Sequence, residues 1–188
     1  MLGKSIKLNK ALFLDRDGVI NVDKGYVHRW VDFEFMPDVI EAMRRFSRAG
    51  FKLIVVTNQS GIARGLFTEE QFKILTAKIE NHLKRRGVPS IETYYCPHLP
   101  DGVIEDYAIT CHCRKPAPGL LLQAARDHSL KLSQTALVGD KHSDISAATA
   151  AGVGRSFLMV GDRPCSEKDI GTTFVKSLGE CADMMGVP

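Results

Sequence analysis

The chain has 188 residues and a mass of 20.8 kDa; 44% of its residues are hydrophobic, 25% are charged, and the formal net charge is +3. This suits one globular domain with its own core over residues 1–188, and it excludes disorder, collagen and coiled coil as whole-chain descriptions. The weak positive charge gives no case for nucleic acid. No apolar run approaches the ~20 residues of a membrane span, and no signal-like apolar block follows the lysines of residues 1–10, so a cytoplasmic protein is expected.

In chain order, Ala11–Leu14 is a short apolar run that ends at Asp15. Val39, Ile40, Met43 and Phe46 recur at helical spacing, with Pro37 placed as a first-turn proline and Gly50 as a stop. Leu53–Val56 reads as a buried parallel strand. Thr68 and Gln71 fit a capping box, ahead of a helix whose apolar face is Phe72, Leu75, Ile79 and Leu83. Ile91–Tyr95 reads as a third strand, and Cys96–Pro118 as a long loop without periodicity. A helix from Pro118–Gly119, a strand over Thr135–Val138, a helix over Asp144–Ala151 closed by Gly152, and a strand over Ser156–Val160 follow. The tail beyond Asp162 carries weaker signals, a short strand at Phe174–Val175 and a closing helix over Leu178–Met185. Such alternation predicts an α/β, Rossmann-like parallel sheet with helices on both faces. Ligands then belong beyond the carboxyl ends of the strands.

Polar clusters stand at four such places: Asp15-Arg16-Asp17-Gly18, Thr57-Asn58-Gln59-Ser60-Gly61, Arg114-Lys115-Pro116 and Gly139-Asp140-Lys141. Each is weak alone; their order along the sheet is more specific. The Asp-x-Asp-Gly lacks the further acidic ligands of a calcium loop, since Asn21 and Asp23 fall at the wrong spacing. Cys96-x-His98 and Cys111-x-Cys113 form a separate pattern, three thiols and an imidazole that suit a closed tetrahedral zinc site. His112 is read as a bystander, and Cys165 and Cys181 as ordinary thiols. A loop this long has too little apolar content to order itself, which favours such an ion over four scattered loop residues.

Taken together, residues 11–160 resemble the haloacid dehalogenase superfamily of phosphohydrolases. Within it they look like the D-glycero-D-manno-heptose-1,7-bisphosphate 7-phosphatases. The resemblance rests on FLDRDG at 13–18, NVDKGYV at 21–27, TNQSGIAR at 57–64, YCPH at 95–98, CHCRKP at 111–116 and GDK at 139–141. His142 and Ser143 stand before Asp144, which leaves the role of Asp144 open. The resemblance implies that Asp15 is a nucleophile forming an aspartyl-phosphate, and that Asp17 is the acid and then the base. Thr57 and the backbone of Asn58 would hold the transferring phosphoryl group, and Lys115 would offset its charge. Mg²⁺ is implied on Asp15, Asp17 and Asp140, the second through its carbonyl. Arg16, Asp23, Lys24, Gly25, Tyr26, Gln59, Ser60 and Arg114 are implied substrate contacts, with Arg114 gripping a second phosphate. No large cap domain fits between the motifs, so an open site is expected, and the zinc loop at about 96–113 would present Arg114 and Lys115. The implied partner is a small phosphorylated sugar, with no nucleic acid and no membrane, and a monomer is expected. Two rivals stand beside this reading: a histidinol-phosphate phosphatase, and a non-catalytic zinc-bearing interaction module.

Overall fold

The structure, a computed structural model, describes residues 10–160 and 172–188. Six parallel strands form one sheet: β1 (Ala11–Leu14), β2 (Lys52–Asn58), β3 (Ile91–Cys96), β4 (Ala136–Gly139), β5 (Arg155–Met159) and β6 (Thr173–Val175). Their order across the sheet is β3-β2-β1-β4-β5-β6. The helices are α1 (Val39–Arg48), α2 (Glu69–Arg85), α3 (Gly119–Asp127), α4 (His142–Ala151) and α5 (Leu178–Met184). The expected doubly covered sheet is therefore present, and among the described residues there is no separate cap domain.

Alternation along β1 sends side chains into two cores. Leu12 and Leu14 pack with Met43 and Phe46 of α1, Leu75 and Ile79 of α2, and Cys181 of α5. Ala11 and Phe13 pack on the other face with Leu120 and Ala124 of α3 and Ala147 of α4. All four β1 side chains are fully buried, which is why this strand reads as a continuous apolar run. The capping box on α2 is formed as expected: Gln71 N–H donates to Thr68 Oγ1 at 3.1 Å, and Thr68 N–H donates to Gln71 Oε1 at 2.8 Å. Gly152 closes α4 at φ 79°.

Some local expectations need correction. Pro37 lies outside α1, not in its first turn, because Asp38 takes the N-cap in a left-handed conformation at φ 61°. Helix α4 starts at His142, two residues before Asp144, because the Asp144 carboxylate accepts the Lys141 N–H and closes the first turn. The 96–118 loop contains a 3-10 turn at Glu105–Tyr107, pinned where the Val103 and Ile104 N–H groups donate to the Ala63 carbonyl. The tail elements lie one residue from their expected bounds, as β6 and α5. Cys181 is buried in the core, while Cys165 and the lysine-bearing segment 1–9 lie outside the described residues.

Candidate active site

Strands β1 and β4 are neighbours, with Leu14 beside Val138 and the Asp15 N–H donating to the Val138 carbonyl at 3.0 Å. That pairing brings Asp15 and Asp140, far apart in sequence, to one edge of the sheet. A carboxylate oxygen from each of Asp15, Asp140 and Asp144 lies within 4.8 Å of the others. Gly18, at φ 84°, makes room for the group: a Cβ there would stand 2.4 Å from Asp140 Oδ2.

Lys115 is buried between these acids. Its ammonium lies 3.1 Å from Asp15 Oδ1 and 2.5 Å from Asp144 Oδ1, and it donates to the Val56 carbonyl at 2.8 Å. Burial raises the Asp15 pKa, Lys115 opposes the rise, and Asp144 adds to it. Burial works to lower Lys115, but the joint pull of Asp15 and Asp144 holds it above its ordinary value. Asp140 is pushed up to about 7, first by burial and then by Asp15, with Lys141 pulling the other way. Lys115, with Lys141 shared between Asp140 and Asp23, does not balance these clustered carboxylates, each close pair of which repels by about 4 kcal/mol at 4 Å and an effective dielectric of 20. Asp140 Oδ1 is buried without a hydrogen-bond partner. An orphaned acceptor, a glycine cradle and surplus negative charge all fit a divalent cation. The role left open for Asp144 is thus resolved: it caps α4 and anchors Lys115.

Thr57 ends the buried run of β2. Its Oγ1 accepts from Gln59 Nε2 at 3.0 Å, which leaves the hydroxyl proton for another acceptor. Asn58 clasps the backbone of Lys115 reciprocally: its Nδ2 donates to the Lys115 carbonyl, and the Lys115 N–H donates to its Oδ1, both at 3.0 Å. Asp17 accepts from Arg16 Nη2 at 2.8 and 2.9 Å, from Asn21 Nδ2 at 3.0 Å and from Gln59 Nε2 at 2.9 Å.

A cleft of about 600 Å³ opens beside these groups. Asp17, Asp23, Gly25, Tyr26, Asn58, Gln59, Ser60, Arg114 and Lys115 line it, joined by Lys141 and Ser143, which sequence reasoning did not single out as substrate contacts. Lys141 ties the cleft wall to the carboxylate cluster, with Nζ 3.3 Å from both Asp23 Oδ2 and Asp140 Oδ2. Two expected contacts turn elsewhere. The Arg16 guanidinium is buried on Asp17, the Val27 carbonyl and the face of Phe72. Lys24 pairs with Glu34 at 2.7 Å.

The second cluster is Cys96, His98, Cys111 and Cys113, with ligand atoms gathered within 4.8 Å. The Cys113 sulfur lies 3.1 Å from Cys96, 3.3 Å from Cys111 and 3.3 Å from His98 Nδ1. A tetrahedral ion with ~2.3 Å metal–sulfur bonds separates its sulfurs by roughly 3.8 Å, so small shifts would admit one. Burial and the neighbouring Cys113 raise Cys96 well above an ordinary thiol. His112 stays outside the cluster; its carbonyl accepts the Gly119 N–H at 2.9 Å, an approach that only glycine permits. Arg114 leaves the loop tied to the His98 carbonyl at 3.2 Å.

A parallel sheet with clustered carboxylates and a buried lysine at its switch point defines a HAD-like phosphomonoester hydrolase. A family model described as HAD-hydrolase-like matches residues 112–162. The chain is 51% identical over 154 residues to the D-glycero-beta-D-manno-heptose-1,7-bisphosphate 7-phosphatase of Escherichia coli K12, covering 82% of this chain and 81% of that one. It is 43% identical over 158 residues to the alpha-specific counterpart by name from Photorhabdus laumondii, covering 84% and 86% of the two chains. The crystal structure of a D,D-heptose 1,7-bisphosphate phosphatase from B. bronchiseptica, complexed with magnesium and phosphate, superposes with a TM-score of 0.78 at 30% identity, covering 94% of this chain and 97% of that one. The chain belongs to the heptose-1,7-bisphosphate 7-phosphatase family.

Proposed function

We propose that this chain removes the 7-phosphate of D-glycero-D-manno-heptose 1,7-bisphosphate. The observation that carries the reading is the buried Lys115 ammonium between Asp15 and Asp144, next to Asp140 and on the wall of an open, cation-lined cleft. Asp15, whose Oδ1 is held by the Arg16 N–H at 2.7 Å and by Lys115, attacks phosphorus and takes the phosphoryl group as an aspartyl-phosphate. Asp17 gives its proton to the departing sugar oxygen, then takes one from the water that frees phosphate. The Thr57 hydroxyl donates to the transferring group, and Lys115 holds its charge. Asp15, Asp140 and the Asp17 carbonyl would hold Mg²⁺, whose charge lets an anionic nucleophile approach an anionic ester. Arg114 and Lys141 face the cleft, where the forked donors of an arginine suit the second phosphate.

Cys96, His98, Cys111 and Cys113 hold structural zinc, which fixes the loop that leads into Arg114 and Lys115. The thiols this requires are kept reduced in the cytoplasm, where the enzyme works as a monomer on a small soluble substrate. The test is phosphate release from both anomers of the bisphosphate beside histidinol phosphate. Preferred turnover of a heptose bisphosphate, leaving heptose 1-phosphate, supports the reading. Preference for histidinol phosphate replaces the substrate, and inactivity on every ester with zinc and magnesium present overturns the enzyme in favour of the interaction module.

A further inference from the structure

Gln59 stands in the cleft wall yet is buried, and its amide is fully engaged on one side. Its Nε2 donates to Thr57 Oγ1 at 3.0 Å and to Asp17 Oδ2 at 2.9 Å. A carboxylate only accepts, so the atom that faces Asp17 is the amide nitrogen, and both of its hydrogens are used. The residue is itself fixed at the backbone, where its N–H donates to the Cys96 carbonyl at 2.8 Å and continues the β2–β3 pairing. The other donors to Asp17, Arg16 and Asn21, are buried and lie outside the cleft lining. Gln59 is thus the cleft-side hold on the acid, and a rigid one.

We infer that Gln59 is a positioning residue for the proton transfers of Asp17, aiming that carboxyl group from an anchor on Thr57 and on the backbone of the cysteine loop. The inference rests on the phosphatase reading and deepens it. During phosphoryl transfer the P–O bond to the alcohol breaks, the phosphorus–Asp15 bond forms, and the Asp17 proton passes to the departing oxygen. An alkoxide leaves poorly without that proton, whereas p-nitrophenolate leaves well without it. A group that aims the acid therefore matters most for sugar and alkyl esters. A group that merely supports the fold, or that orients Thr57 toward phosphoryl oxygens, matters equally for every ester.

The experiment measures kcat/KM, which reports the steps through aspartyl-phosphate formation, for a series of esters from p-nitrophenyl phosphate to alkyl and sugar phosphates. Wild type, Gln59→Leu, Gln59→Glu, Asp17→Asn and the Gln59→Leu/Asp17→Asn double variant are compared with magnesium present. Gln59→Leu should lose about 10²-fold on alkyl esters and at least about 10-fold less on p-nitrophenyl phosphate. Gln59→Glu, of the same shape but with an acceptor facing Asp17, should widen that gap, and it serves if Gln59→Leu fails to fold. With Asp17 already replaced, losing Gln59 should add no further difference between esters. Equal losses across the series, or no loss, in Gln59→Glu overturn the inference and leave the phosphatase reading intact. A wild type inactive on every ester overturns the reading itself.

Discussion

The two ligand clusters meet opposite problems. Asp15, Asp140 and Asp144 sit at the ends of strands and on the first turn of a helix, so the backbone holds them whether or not a cation is present. Their difficulty is charge, which Lys115 only partly offsets. Cys96 closes β3, but His98, Cys111 and Cys113 lie on a loop whose only helical piece is a single 3-10 turn. Their difficulty is order. An ion in the first cluster would serve chemistry on an already built scaffold, and an ion in the second would build the scaffold. The contrast teaches that removing a ligand should cost activity without fold at one cluster, and fold before activity at the other.

The sharpest break of that contrast is Asp15→Asn. Turnover should fall on the order of 10⁵-fold, as losing a nucleophile does, while the thermal midpoint stays within about 5 °C of wild type. Collapse of the fold instead would show that the carboxylates are structural. Next, Lys115→Met should abolish turnover and also cost about 3–5 kcal/mol in a denaturant titration, because two buried carboxylates lose their shared cation. A variant as stable as wild type would mean that Asp144 does not depend on the lysine. At the other cluster, Cys111→Ser should lower the zinc content that elemental analysis finds relative to wild type, and lower the midpoint by roughly 6–12 °C, a loss of about 3 kcal/mol in a chain of this size. Limited proteolysis should then cut within residues 97–110. Unchanged stability with full metal content would remove the contrast. The smallest effect on turnover is expected of Gly18→Ala, whose Cβ meets Asp140 Oδ2 at a φ that side chains rarely adopt: the magnesium concentration for half-maximal rate should rise about 10- to 100-fold, and the midpoint should fall by roughly 2–8 °C, a loss of about 1–2 kcal/mol.

Most of the fold was legible because it is local. Apolar runs, the Thr68 capping box and Gly152 announce elements from a few neighbouring residues, and the relevant forces act over those same residues. The four polar clusters were legible for a related reason, since each follows its own strand. What the sequence hid is what distant side chains do to one another. The backbone of Asn58 read as a phosphoryl contact, but nothing local showed that its side chain clasps the backbone of Lys115. Arg16 read as a substrate contact, yet the carboxylate of Asp17 and the carbonyl of Val27 take its guanidinium inward. Lys24 turned to Glu34, which the hairpin-like pairing of Val22 N–H with the Glu34 carbonyl brings close. Asp144 was undecided because its helix cap is a local signal, whereas its partner Lys115 arrives from another strand connection. Pro37 misled through a single left-handed residue, Asp38, a conformation that composition does not reveal.

Strand β1 is made first and sits between β2 and β4 in the finished sheet. Synthesis proceeds at roughly 5–20 residues per second, so the nucleophilic end of β1 waits many seconds on the ribosome for its β4 neighbour. Lys115 joins Asp15 before then, held by Val56 and Asn58 of β2, but Asp140 does not, so a nascent or truncated chain ending ahead of β4 lacks a carboxylate of the site whatever else has folded. Activity therefore switches on once, late, with the docking of β4 against β1, and a split of the gene ahead of that strand would yield two inert halves that regain function only on reassembly.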